Sequence, residues 1–361
     1  MYLKKCADIS QQTIDSFKLS NNCLLVLIAE KSADQANILI ELLAKNGLKF
    51  FGGIYPTIIY ETNNYDDGIL LIELPFVKQV VKFSMNDEST FREIENLEEI
   101  NTAILLIDAM VAETDLLLKR VYGLLNNEIN LVGGGAGFMS FVQQPCIFTE
   151  DGIFDDGAVL ALMSNKSKIG VKHGWQEFAG PFVATSTEKN IIKELNWRPA
   201  FEVYKEVIEA NSNNKFSETN FIDIAKIFPF GIFKEGAEYV VRDPISINSN
   251  DEIICISEVP ENSTLQILTG DPEKLIVAAR DVANQTVQDE GLEGYLMVFD
   301  CITRVMYLDN RFVEELSAMR EVYDGKQCKI LGVSTLGEIA SSGTGFVDFY
   351  NKTIVASSLC E

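Results

Sequence analysis

The apolar positions of this chain fall into short continuous runs, each followed by a stretch of helical spacing, and the order repeats. "CLLVLIAE" (23–30) has the length and continuity of a buried strand. A helical stretch follows, opened by Ser32 with Gln35 placed for a capping box. Ala36, Leu39, Ile40 and Leu43 mark its apolar face, and Gly47 closes it. Next come "LKFFGG" (48–53) and a strand-like pair, "PTIIYE" and "GILLIEL", around "TNNYDD". The second copy runs from "AILLIDA" (103–109) through a helix marked by Leu117, Leu118, Val121, Leu124 and Leu125. It then passes "INLVGGG" (129–135) into "PCIFTEDGIFDDGAVLALMS", a hairpin around Asp151-Gly152. The third copy starts at "YLMVFDC" (295–301), has a helix marked by Phe312, Leu316 and Met319, and continues through "CKILGV" (328–333) into "GEIASSGTGFVDFYNKTIVASS".

Two strands joined by a helix should lie parallel with a right-handed crossover, and each hairpin should add antiparallel strands. The pattern therefore predicts an α+β fold, with mixed sheets packed by helices and built from repeated β-α-β-hairpin units. Turn chemistry repeats as well, with Asp66-Asp67-Gly68 before "ILLIEL" and Asp155-Asp156-Gly157 before "AVLALM". Between the second and third copies the pattern changes. A helix over 199–210 starts with Pro199 near its first position, and "NSNNKFSETN" (211–220) reads as a linker. Strands are expected at "EYVVRDPISI", "EIICISEV" and "TLQIL", and a helix after Asp271-Pro272. The expected organisation is an N-terminal extension over 1–22, one domain over 23–197 and a second over 198–361.

The glycine-rich stretch "LVGGGAGF" (131–138) has neither the G-x-G-x-x-G spacing of a dinucleotide fold nor the Lys-Ser/Thr ending of a P-loop. It leads into a hairpin, whereas both phosphate-binding motifs lead into a helix. In each copy a glycine (Gly52-Gly53, Gly133 to Gly135, Gly332) is expected where a strand leaves the parallel pair. There it would supply backbone freedom and, if these corners converge, room for a ligand.

Composition narrows the function. A net charge of −23 repels phosphate backbones, so nucleic acid and anionic membrane are poor partners. The longest apolar run, 23–29, is too short to span a bilayer, and the N-terminus has no secretory h-region. Seven cysteines without a C-x-x-C read as buried free thiols in a reducing cytoplasm. A single histidine, His173, excludes a metal centre built from several histidines, and no cofactor or metal is expected.

Several stretches, taken in order, resemble the FIST family, a module of an N-terminal and a C-terminal domain. They are "LVGGGAGF" and "GVKHGWQEFAGPFVATSTEKNIIKELNWRPAFEVY" in the first half. In the second half they are "FPFGI", "YVVRDPISIN", "VPENSTLQILTGDPEKLI", "VFDCITR" and "GVSTLGEIA". The resemblance implies a sensory protein that binds a small ligand, with amino acids the suspected class, and reports to a signalling partner. Family members carry output domains. Here residues outside the two domains leave no room for one, so the expected partner is a separate, unidentified protein.

The candidate residues follow from chemistry. Glu30, Asp108 and Asp300 close the first strand of their copies, where ligands of open sheets gather. Each either reaches a ligand amine or hydroxyl, or caps the helix that follows. Arg304 in "DCITR" and Arg242 in "VVRDP" are each able to clamp a carboxylate, or to pair internally with Asp243, Asp300 or Glu338. Glu338, with an arginine, would complete a site for a zwitterion; the plainer reading is a loop carboxylate bonded to nearby amides. Gly134 and Gly135 line the same expected pocket. Cys301 and His173 form the one plausible thiol–imidazole couple, which defines the alternative reading, a cysteine-dependent hydrolase or transferase. Buried, inert roles are the simpler account of both. The leading expectation is a cytoplasmic, non-enzymatic sensor with its pocket between the two halves.

Overall fold

The parallel pair expected in each copy is present. Cys23–Ala29 pairs with Phe50–Tyr55, Thr102–Asp108 with Asn130–Ala136, and Glu293–Cys301 with Gln327–Thr335. The structure is a computed structural model that describes every residue except 93, 95, 126–127, 218, 235–237, 288–292, 342–346 and 361, so part of the third hairpin lies outside the described residues. The helices joining the pairs are Ala36–Lys45, Thr114–Gly123 and Phe312–Val322, the last preceded by Ile302–Leu308. Leu39, Ile40 and Leu43, then Leu117, Leu118 and Val121, then Phe312, Leu316 and Met319 turn inward, as their spacing predicts. The α+β class and the mixed sheets hold.

The hairpins are shared in a way the repeat does not announce. One arm stays home: Ile69–Leu74, Gly157–Met163 and Ile354–Cys360 flank the first strand of their own copy. The other arm crosses to a neighbour. Thr57–Tyr60 extends the third copy's sheet, Ile147–Thr149 the first's and Glu338–Ser341 the second's. Three six-stranded sheets result, each completed by another copy, in a closed ring of pseudo-threefold order.

Three glycines fix the equivalence of the copies. Gly52, Gly133 and Gly332 pair with Val26, Leu105 and Val298. A Cβ on them would sit 1.9, 1.8 and 2.0 Å from the carbonyl oxygens of those same partners. All three stand inside the parallel ladder and not at its exit, where the sequence pattern put them. Their role is close approach of two backbones.

Alternation then sorts the side chains. Val26, Leu105 and Val298 face outward, with Leu105 among the helix contacts of the second copy and Val298 among those of the third. The intervening residues, such as Ile104, Leu106, Met297 and Phe299, enter one core shared by all three sheets. The equivalence corrects one expectation. Counting three residues on from the glycine-paired positions gives Ala29, Asp108 and Cys301, so Glu30, Asp108 and Asp300 are not equivalent. Asp300 points to the opposite face from Asp108.

The residues between the second and third copies form a further eight-stranded sheet. Its edge strands, Val240–Arg242 and Pro244–Ile247, are separated by Asp243 alone, so the sheet curls back on itself as a barrel. "EYVVRDPISI" is thus two strands meeting at a corner. The helix Ala200–Asn211 packs on this sheet through Val203, Tyr204 and Ile208. Ser32 and Gln35 do not form a capping box. A 3₁₀ turn precedes the helix, Ser32 Oγ accepts from Gly68 N (2.7 Å) and Gln35 Oε1 from Cys6 N (2.7 Å). No helix among the described residues is long and apolar enough to cross a membrane.

Candidate functional site

At the C-terminal ends of the parallel strands the three copies stop being alike. Across the ladder from Gly53 stands Ile147, and across from Val333 stands Ile58; the equivalent partner of Gly134 is Glu338. The same pole carries Cys301 where the other copies have Ala29 and Asp108, and Thr335 where they have Tyr55 and Ala136. The turn Asn351-Lys352-Thr353 stands in the place of Asp66-Asp67-Gly68 and Asp155-Asp156-Gly157. Every one of these third-copy replacements is buried: Glu338 and Thr335 are 0% exposed, Lys352 and Thr353 1% and Cys301 3%.

They touch. Glu338 Oε1 lies 2.7 Å from Thr335 Oγ1, which is also 3.2 Å from the carbonyl oxygen of Asp300. A hydroxyl has one hydrogen, so both contacts are satisfied together only when Glu338 brings a proton of its own. Burial pushes Glu338 up to about 8, in keeping with that. Glu338 Oε2 accepts from Thr353 N (3.3 Å), and Thr353 O accepts from Cys301 N (3.1 Å). Gly134 packs against the Thr335 methyl group. Gly135 N donates across the seam to Gly337 O (2.8 Å), and Leu336 N returns to Gly135 O (3.0 Å).

Both arginines are held by the protein itself. Arg304 Nε lies 3.0 Å from Asp300 Oδ1, and Arg304 Nη2 2.7 Å from Glu315 Oε1. Its Nη1 donates to His173 O (2.5 Å). All three ionisable side chains are 0% exposed. Burial, then the Glu315 carboxylate, drives Asp300 well above the ordinary carboxylate range, so a proton offsets the second negative charge. Among the described residues Arg242 donates only to carbonyls: Glu258 O (2.7 Å), Val241 O and Phe349 O (both 3.0 Å). It stands on the barrel and makes no hydrogen bond to Glu338 among the described residues, but through Phe349 O it holds the strand that pairs with Glu338–Ser341. Its neighbour Asp243 pairs with Lys352 Nζ (3.1 Å). Lys352 Nζ also donates to Lys226 O (3.0 Å) and lies 4.6 Å from the Trp175 ring centre.

The thiol and the imidazole have separate partners. Cys301 Sγ contacts Thr303 Oγ1 (3.1 Å), and burial followed by the nearby Glu338 charge pushes the thiol well up. His173 Nδ1 accepts from Trp175 N (2.9 Å), which places the ring hydrogen on Nε2, 3.1 Å from Glu238 Oε2. Burial outweighs that carboxylate and lowers His173 to about 4.

Glu30 and Asp108, read from sequence as ligand or capping groups, hold the connection between the first two copies. Glu30 Oε2 accepts from Met139 N (2.9 Å); Asp108 Oδ2 accepts from Gln143 Nε2 (3.0 Å) and Asp156 N (2.8 Å). Thus Asp300, Cys301, Arg304, Glu338, Gly134 and Gly135 gather at one pole, with His173 joined through its carbonyl and Arg242 only through the strand of Phe349. Lys352, Thr353 and Glu315 were missed. The signal for the first two was present: "NKT" breaks a D-D-G turn that the other copies keep.

The seam between Gly134 and Glu338 joins a strand of the first half to one of the second, and the comparison with known families divides the chain in the same way. The profile of the FIST N domain matches residues 22–198 and that of the FIST C domain residues 200–341. The chain belongs to the FIST family. FIST domains are sensory and are held to bind small ligands. In this FIST protein the two matched segments are interleaved: Thr57–Tyr60 of the N segment lies in a sheet with Gln327–Thr335, and Glu338–Ser341 of the C segment lies against Asn130–Ala136. No curated protein matches the chain.

Proposed function

We propose that this FIST protein is a cytoplasmic sensor whose small ligand, an amino acid, binds between its two segments at the Glu338 seam and whose bound state is read by a separate signalling protein. The observation that carries the reading is the concentration of buried polar replacements at one pole of an otherwise repeated, apolar architecture. Each costs desolvation there, and a fold needing only a core would keep isoleucine and glycine.

The strand Glu338–Ser341 and its partner Asp348–Tyr350 form the edge of the second sheet. Lifting these two strands breaks the ladder to Asn130–Ala136 and withdraws Ile339 and Phe349 from the core of the second copy. It uncovers the Glu338 carboxyl for a ligand ammonium, and the N–H groups of Gly135 and Leu336 for a carboxylate. Arg304, tied to Asp300 and Glu315, braces the floor of the site and does not reach the ligand. Nothing favours the cysteine-enzyme alternative: the Cys301 thiol is pushed up and the His173 ring is turned to Trp175 and Glu238.

Thermal-shift titration with the amino acids and small carboxylates tests the reading. A specific ligand raises the melting temperature by mass action, and Glu338→Gln should abolish the shift. A full panel without any shift in the wild-type protein would remove the proposal.

A further inference from the structure

The opposite pole of the ring holds an open groove. Tyr295 stands near the start of Glu293–Cys301 and Lys329 near the start of Gln327–Thr335. Tyr295 is about 20 Å from Cys301 along a strand rising ~3.3 Å per residue. A cavity of about 440 Å³ opens there between the first and third copies, and a second of about 390 Å³ continues it, the two sharing Glu73, Tyr295 and Lys329. Buried apolar side chains floor them: Phe17 and Leu71 in the first, Met163 and Leu359 in the second. Tyr2, Tyr60 and Tyr295 line the first cavity, with Tyr2 and Tyr60 stacked at 6.2 Å.

The groove's polar groups are poised. The Lys329 ammonium makes no hydrogen bond or ion pair with any described residue, in a chain where acidic residues outnumber basic ones by 53 to 30. The hydroxyls of Tyr60 and Tyr295 likewise have no partner among the described residues. Glu73 is different: one carboxylate oxygen accepts from Ser20 Oγ (2.6 Å), and the other has no described partner. These three unengaged donors and the Met1 ammonium, which also lines the cavity and is bonded to Leu71 O (2.6 Å), surround an aromatic slot and fit an anion with a flat body. The Glu73 oxygen without a described hydrogen-bond partner fits a donor on the same molecule.

The geometry points to a second binding site here, independent of the Glu338 seam, for a small aromatic carboxylate carrying a hydroxyl or amine. The carboxylate meets Lys329 and the tyrosine hydroxyls, the ring lies along the tyrosines, and the donor reaches Glu73.

Calorimetric titration with 4-hydroxybenzoate tests it on the full chain. Saturable binding is expected, weakened about tenfold or more by Lys329→Gln, the equivalent of losing ~1.4 kcal/mol of charge-assisted bonding. Lys329 is exposed, so that variant should fold as the wild type does; Tyr295→Phe should weaken binding several-fold. Glu338→Gln should leave it unchanged, which separates this site from the seam. Cyclohexanecarboxylate, whose ring is saturated and carries no hydroxyl, and 4-hydroxybenzyl alcohol, without the charge, should bind far more weakly. Absence of saturable binding, or binding that Lys329→Gln leaves intact, would overturn the assignment.

Discussion

Glu338 faces Gly134 across an antiparallel ladder, at the position where the other two copies place Ile147 and Ile58. The glycine leaves the space that the carboxyl group and Thr335 share, since a Cβ on Gly134 would fall 2.4 Å from the Thr335 methyl carbon. A polar group is thus enclosed where the architecture favours an apolar one, and its titration should be measurable.

The sign follows from where the proton sits. Glu338 titrates at about 8 in the folded chain against an ordinary 4.5, so its contribution is complete at low pH and is lost as pH rises through that range. Glu338→Gln should therefore gain stability relative to wild type between about pH 5 and 8, by at most ~1.4 kcal/mol per pH unit. Urea denaturation of both proteins across the range would show it; parallel pH profiles would mean that Glu338 is not buried with its proton.

Removing Arg304 should be severe. It leaves Asp300 and Glu315 facing each other without a cation in a site closed to water, for which a loss of roughly 3–5 kcal/mol is expected on Arg304→Met. Adding Asp300→Asn and Glu315→Gln to that variant should recover part of the loss. No recovery would show that packing, and not charge, is what Arg304 provides.

The glycines of the parallel ladders predict a contrast between two alanine substitutions. Gly332→Ala drives a methyl group into the carbonyl oxygen of Val298 and should cost about 3 kcal/mol or more, or prevent folding. Gly123→Ala, at the end of a helix with nothing within 4 Å of the new methyl, should be neutral or stabilising by ~0.5–1 kcal/mol. Melting temperatures are enough to compare them.

Cys301 should be inert in the native protein. Its thiol is 3% exposed and held in the protonated form by burial. Mass spectrometry after treatment with a thiol reagent at neutral pH should find Cys301 unlabelled in buffer and labelled in urea. Rapid native labelling would revive the enzyme reading.

Local pattern carried most of the fold. Runs such as 23–29 and 103–107 are apolar throughout because both faces of their sheets are covered, and the helical faces at Leu39 or Leu117 follow from a single buried stripe. Which neighbour receives a hairpin arm is a tertiary choice: Thr57–Tyr60 looks the same in sequence whether it pairs at home or abroad. Ser32 and Gln35 had the spacing of a cap, but Gly68 and Cys6 offered longer-range partners. The acids closing the first strands were misaligned by one residue, because only the glycine-to-carbonyl approach fixes the register. Glu338, Asp300 and Arg304 were legible as polar residues in apolar surroundings; whether a guanidinium is already engaged depends on Glu315, on a different helix.

The ring of exchanged arms also constrains how the chain comes off the ribosome. Thr57 ends up bonded to Ser334, 277 residues later. The emerging N-terminal segment must keep an unsatisfied strand waiting until nearly all of the polypeptide has been made. A gene split at the junction of the two FIST segments should then give two aggregating fragments that yield soluble protein only when produced together.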